Sequence, residues 1–166
     1  IDSLYNLRPM TKKLNYKYYL CTLHRPFNVD NKQKLNLILN KLDNFNYKVV
    51  IPTHPRLKKN IEKKYKKINF IDPLGYTDFI NLLKFSEGVI SDSGGIQCEA
   101  GFFNIPMLTL RKSTEHLITL NFGNNLVDIN KLDIKSFSKI NKKTRPKEWD
   151  GKASIRIVNK IKNKYK

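Results

Sequence analysis

The chain has 166 residues, 40% of them apolar and 28% charged, and a formal net charge of +18 at pH 7. That length sustains one buried core and one domain, while no segment approaches the ~18 uninterrupted apolar residues of a membrane span or opens with an apolar run of signal-peptide type, so the chain reads as cytoplasmic. Lysine outnumbers arginine 26 to 6 and is scattered over nearly every predicted helix, beside abundant Asn, Ile and Tyr; this is the product of an AT-rich coding bias and a solvated surface, not of a specific nucleic-acid face.

Residues 1–16 carry no clear periodicity and read as a linker arriving from a missing N-terminal domain. Lys17 to Leu23 is a predicted strand that ends in the loop His24 to Asp30, after which Leu35, Ile38, Leu39, Leu42 and Phe45 recur with helical spacing. Tyr47 to Ile51 is a second strand, followed by Thr53-His-Pro-Arg56 and a predicted lysine-rich helix. Ile68 to Ile71 is a third, and Asp72-Pro-Leu-Gly75 turns the chain into a helix carrying Phe79, Leu82, Leu83 and Phe85. Val89 to Ser91 leads into Ser93-Gly94-Gly95 and directly into another helical pattern. Met107 to Leu110 and a short run at Asn125 to Val127 complete six strands. A polar stretch from Asp128 to Lys147 holds a predicted helix at Leu132 to Ile140, and Asp150 is the expected N-cap of a last helix through Ile155, Val158 and Ile161. Domain boundaries are therefore expected at 17–148, with 149–166 as a C-terminal helix. Strands alternating with helices of this length imply crossover units and an α/β, Rossmann-like parallel sheet covered on both faces.

Polar residues gather where the strands end: His24 and Arg25, Thr53 and His54, Asp72, Ser93, and Arg111 with Glu115 and His116. In a doubly wound sheet such positions line one crevice. Two glycines at a helix start leave the backbone uncrowded where amides lack intrahelical partners, which suits a phosphate, and Glu99, about one and a half turns on, can accept from sugar hydroxyls. The same glycine pair also serves close strand–helix packing. Arg25 and Arg111 can fork onto phosphate oxygens, or pair with Asp30 and Glu115. His24 can donate a hydrogen bond or a proton to a leaving phosphate. Ser93 lies in Asp-Ser-Gly-Gly, not in a nucleophile elbow, and reads as a phosphate donor. No metal spacing is present, and Cys21 and Cys98 read as reduced thiols.

Six segments together resemble the C-terminal half of the non-hydrolysing UDP-N-acetylglucosamine 2-epimerases: Leu23 to Asn31, Thr53 to Arg56, Ile71 to Phe79, Ser91 to Ala100, Leu110 to His116, and Trp149 to Lys152. The resemblance implies a glycosyltransferase-B-type fold, two Rossmann-like domains facing a cleft, with this chain as the UDP-holding half. It implies that Ser93, Gly94 and Gly95 cradle the diphosphate, that Glu99 holds the ribose, and that the Leu74 to Phe79 turn, with Tyr76 and Phe79, backs the uracil. It further implies His24 as the catalytic histidine near the diphosphate, Arg111 and Glu115 in the cleft, and Arg25 and His54 near a regulatory UDP-sugar site. The implied reaction inverts C2 of the sugar by elimination and re-addition of UDP, with no cofactor, and with acidic residues supplied by the N-terminal domain of a homodimeric full-length enzyme.

The sequence departs from the family pattern at His116-Leu117, where Arg-Pro is common, at Phe27 and at Cys98. The expected activity is UDP-N-acetylglucosamine 2-epimerase, incomplete in this chain alone. The alternatives are an epimerase of a UDP-diacetamido-uronic acid, half of a glycosyltransferase of the same fold, and a basic nucleic-acid-binding module.

Overall fold

The computed structural model describes residues 1–5, 7, 14–140 and 145–165. Its six strands are β1 (Tyr18–Thr22), β2 (Lys48–Pro52), β3 (Ile68–Ile71), β4 (Gly88–Ser91), β5 (Met107–Thr109) and β6 (Asn124–Leu126). All pair in parallel, in the order β3-β2-β1-β4-β5-β6. The central strands β1, β4 and β5 are buried along their whole length, as strands covered on both faces must be. The chain winds outward from β1 to β3, returns to place β4 against the other side of β1, and winds outward again. The order therefore reverses between β1 and β4, where a crevice opens at the carboxyl ends of the strands.

The helices are α1 (Asp2–Tyr5), α2 (Pro26–Val29), α3 (Lys32–Asp43), α4 (Pro55–Lys58), α5 (Tyr76–Lys84), α6 (Gly94–Phe102) and α7 (Ala153–Lys164). The apolar stripe Leu35, Ile38, Leu39 and Leu42 of α3 packs on one sheet face against Leu23, Val49, Ile51, Ile90 and Leu108. On the other face Leu83 of α5 and Ile96 and Ala100 of α6 meet Leu20, Val89 and Met107. Alternate strand residues thus serve two cores, which fixes the register: a one-residue slip would exchange them.

Four local expectations change. The loop after β1 contains the single turn α2, opened by Pro26 at its first position. The lysine-rich helix after His54 stops after one turn; Asn60 Nδ2 donates to the carbonyls of Arg56 and Val29, at 3.3 and 3.0 Å, and the lysines that follow repel one another at helical spacing. The helix expected at Leu132 to Ile140 is a 3-10 turn at Ile134–Lys139, preceded by another at Ile129–Lys131. Asp128 and Asp133 open these turns by accepting from Asn130 and Lys135 amides, so each begins at its own cap. Finally, Asp150 is not the N-cap of α7, which is Lys152. Asp150 instead accepts from the Lys152 amide and pairs with Arg156, while the carboxylate of Asp2 accepts from the Ala153 amide at 2.9 Å.

The expected linker includes residues 6 and 8–13, which lie outside the described residues, as do 141–144 near the end of the polar stretch. Its first turn packs home: Leu4 of α1 is buried with Ile80 and Phe102. Among the described residues no helix is long and apolar enough to cross a membrane.

Candidate functional site

At the reversal point a cavity of about 440 Å³ is lined by Thr22 and His24 at the end of β1, Pro52 and His54 at the end of β2, Pro73, Leu74, Tyr76 and Phe79 around the start of α5, and Ser93, Gly95, Ile96 and Glu99 of α6 and its N-cap. His24, His54, Tyr76, Phe79, Ser93, Gly95 and Glu99, which reach this place from four segments of sequence, therefore share one wall. The reason is topological: in a parallel sheet every strand delivers its carboxyl end to the same edge.

The floor is the start of α6. Ser93 is its extended N-cap residue and makes no side-chain cap. Its amide donates to Ser91 Oγ at 3.0 Å, and that hydroxyl lies 2.6 Å from Thr22 Oγ1 across the β1–β4 pair. Among the described residues no side chain accepts from the amides of Gly94 or Gly95. Those donors, with the positive end of the helix behind them, are available to an anion. A Cβ at Gly95 would meet nothing within 4 Å. A Cβ at Gly94 would collide with the Glu115 carboxylate and come within 3.4 Å of His116 Nε2. A methyl at the first glycine would displace the tip of the Glu115 side chain, whereas one at the second would enter open space.

Opposite the floor, Tyr76 Oη donates to Glu99 Oε1 at 2.9 Å. Burial lifts the Glu99 carboxyl above the ordinary glutamate range, against the lowering pull of the Tyr76 bond. Burial, then the Glu99 carboxylate, push the Tyr76 phenol up to about 12, so the tyrosine stays a donor. Glu99 keeps its second oxygen for a ligand. His54 caps α4, its Nδ1 accepting from the Arg56 amide at 3.4 Å.

Arg25 and Arg111 stand elsewhere. Both line a second cavity of about 480 Å³ with Phe27, Lys34 and Lys112. Arg25 Nε donates to the carbonyl of Asp92, at 3.2 Å, and Asp30 pairs with Arg56, not with Arg25. Arg111 Nη1 lies 2.8 Å from Glu115 Oε2, the guanidinium side chain 14% exposed and the carboxylate 52%. That approach is an ion pair by distance. Glu115 is held low first by its own backbone amide and then by Arg111. It links the two regions, with one oxygen toward Arg111 and the other over Gly94.

Two groups of residues were not singled out by sequence. Asp92 is fully buried, and its carboxylate accepts from the amides of His24 and Arg25 and from Asn28 Nδ2. Gln97, also fully buried, accepts at Oε1 from Thr114 Oγ1 at 2.6 Å and from Asn124 Nδ2 at 2.9 Å, and donates to the Ser93 carbonyl. Thr114 Oγ1 in turn accepts from the His116 amide. Gln97 thereby fixes the loop carrying Glu115 against α6. An available signal was position: Gln97 falls on the inward face of α6, where an amide must find partners. Among the described residues no three metal-ligand side chains gather.

A family model described as UDP-N-acetylglucosamine 2-epimerase matches residues 2–162. A UDP-N-acetylglucosamine 2-epimerase homolog of Methanococcus maripaludis is 34% identical over 98% of this chain and 52% of its own length. The UDP-2,3-diacetamido-2,3-dideoxy-D-glucuronate 2-epimerase of Pseudomonas aeruginosa is 39% identical over 66% of this chain and 32% of its own. In solved structures, the Methanocaldococcus jannaschii UDP-GlcNAc 2-epimerase in complex with UDP-GlcNAc and UDP superposes with a TM-score of 0.71 at 34% identity, covering 87% of this chain and 45% of that one. The chain spans about half the length of the M. maripaludis relative.

Proposed function

The chain belongs to the UDP-N-acetylglucosamine 2-epimerase family, and on that premise we propose that it is the UDP-holding half of a cytoplasmic enzyme that interconverts UDP-N-acetylglucosamine and its C2 epimer. The observation that carries the reading is the cavity at the strand reversal, which brings open helix amides and a half-buried carboxylate about one and a half helical turns further along α6 to one wall. Ser93, Gly94 and Gly95 receive the diphosphate, Glu99 accepts from the ribose hydroxyls, and Leu74, Tyr76 and Phe79 flank the base.

In the reaction the C2 proton leaves, the C1–O bond to UDP breaks, and a glycal-like sugar and free UDP share the site. UDP then adds back to C1 while a proton returns to the other face of C2. The atoms balance with no oxidant or reductant. Charge develops on the departing diphosphate, and this is where the α6 amides and the His24 imidazole act: dipoles already aimed at that charge cost nothing to reorganise. Proton movement at C2 falls to residues of the domain facing this cavity, and closure of that domain keeps the intermediate from escaping. Arg25, His54, Arg111 and Glu115 are cleft or regulatory residues in this reading, and the full-length assembly is a homodimer.

The test is calorimetric titration of the chain with UDP, beside Ser93→Ala and Glu99→Ala. The expected result is saturable binding by the parent chain and about a tenfold or greater loss in each variant, the scale of a hydrogen bond to a charged group. Equal affinity in all three would sink the assignment. The P. aeruginosa relative supports a second reading, a UDP-diacetamido-uronate as substrate. Product analysis with both nucleotide sugars on a full-length enzyme separates the two.

A further inference from the structure

We propose that Asp92 is a positioning residue that sets His24 and Arg25 relative to the phosphate-facing start of α6; this rests on the UDP reading above for its functional meaning. Asp92 follows β4 directly, and His24 follows β1 by two residues, so the two loops diverge from neighbouring strands at the reversal point. Three donors converge on one carboxylate that is 0% exposed. The His24 amide reaches Oδ1 at 2.9 Å, while the Arg25 amide and Asn28 Nδ2 reach Oδ2 at 3.0 and 2.9 Å. The Asp92 carbonyl accepts from Arg25 Nε.

A carboxylate is the group this arrangement requires. Asparagine presents one oxygen and two N–H donors, so with donors approaching both of its terminal atoms one contact would become donor against donor. Burying an anion beside a site for another anion is costly, and the cost is offset only if each oxygen has a hydrogen-bond donor. The three donors do that, and in doing so they consume the amides of His24 and Arg25. Those amides are therefore braces and not ligand donors. What remains free at the loop is the His24 side chain, exposed and lining the cavity, with its backbone tied to the residue just before Ser93. Asn28, 1% exposed, adds the third strut from α2 and makes the turn one piece with the brace.

The role predicts coupling and not mere support. The experiment titrates UDP into the chain, His24→Ala, Asp92→Asn and the double variant, and follows amide hydrogen exchange in the same four proteins without ligand. Asp92→Asn is expected to weaken UDP about five- to twentyfold. The double variant is expected to bind no more weakly than the worse single one, because Asp92 acts through His24. Independent multiplication of the two losses would overturn the proposal, as would parent affinity in Asp92→Asn. The exchange measurement stands even if the parent chain fails to bind UDP, a result that would refute the functional reading by itself. In Asp92→Asn the His24 and Arg25 amides should lose protection while those of β1 and β4 keep theirs; unchanged protection at the two amides would overturn the brace. Asn28→Ala, which spares the carboxylate, covers the case in which Asp92→Asn does not fold: it should loosen the same two amides in smaller degree, and no loosening counts against the proposal.

Discussion

Gly95→Ala separates the stability of the fold from the function of the site. Gly95 is the second residue of α6, its φ is not positive, and an added methyl would touch nothing within 4 Å. Replacing glycine by alanine at a compatible helical position stabilises by about 0.4–1 kcal/mol, chiefly by restricting the unfolded chain. For a domain of this size each kcal/mol is worth roughly 2–4 °C, so Tm should rise by about 1–4 °C. The same methyl projects into the cavity that Gly95 lines, where a phosphate must come within about 3 Å of the backbone amides to bond them. Pushing the phosphate off one charged hydrogen bond removes about 1.5–3 kcal/mol, or roughly 10- to 100-fold in UDP affinity. Scanning calorimetry and UDP titration on one preparation give both numbers. A variant that is more stable and binds UDP like the parent would refute the placement of the diphosphate at these amides, whatever else the cavity holds.

Three further outcomes follow from the geometry. Glu99→Gln should weaken UDP about 10- to 100-fold at neutral pH, since the ribose hydroxyls bond the ionised carboxylate. Burial raises the carboxyl's pKa, so the parent's advantage is present above that raised value and disappears as pH falls through it, beginning at a higher pH than for an ordinary glutamate; the parent-to-variant affinity ratio, measured from pH 7.5 downward, cancels the ionisation of UDP itself, and a ratio flat with pH would contradict the role. Gln97→Ala strands the Thr114 hydroxyl and one donor of Asn124 inside the protein, at a cost of about 2–4 kcal/mol, so Tm should fall by roughly 4–16 °C; a fall under 2 °C would mean the network is slack. Glu115→Gln removes a negative charge beside the α6 terminus and should tighten UDP about two- to fivefold; weaker binding would instead make Glu115 a ligand contact.

The six strands were legible because each is a short apolar run closed by polar residues, and the alternation with helices allows few topologies. Their carboxyl ends gave His24, His54, Ser93 and the α6 start a common edge, and the cavity there now holds all three side chains. Side-chain partnership was not legible. Nothing local tells Arg25 that Arg56 has taken Asp30, or that an aspartate 67 residues on will accept from its amide. The spacing of Leu57, Ile61 and Tyr65 is helical, and all three pack on the α3-side core, yet the backbone after Lys58 is not a helix. There a side-chain amide competing for carbonyls outweighed the apolar pattern. Arg25 and Arg111 also follow strand ends and carry the charge a phosphate needs, but neither position nor charge distinguishes the two sides of a sheet edge, and both line the neighbouring cavity.

The bond from the Asp2 carboxylate to the Ala153 amide spans 151 positions and opens a helix that buries no residue of its own. Twelve residues in water make a marginal helix when nothing packs on them. Since its first turn leans on a carboxylate held where α1 seats Leu4 beside Ile80 and Phe102, loss of α7 helicity is the expected early sign that these two segments have parted.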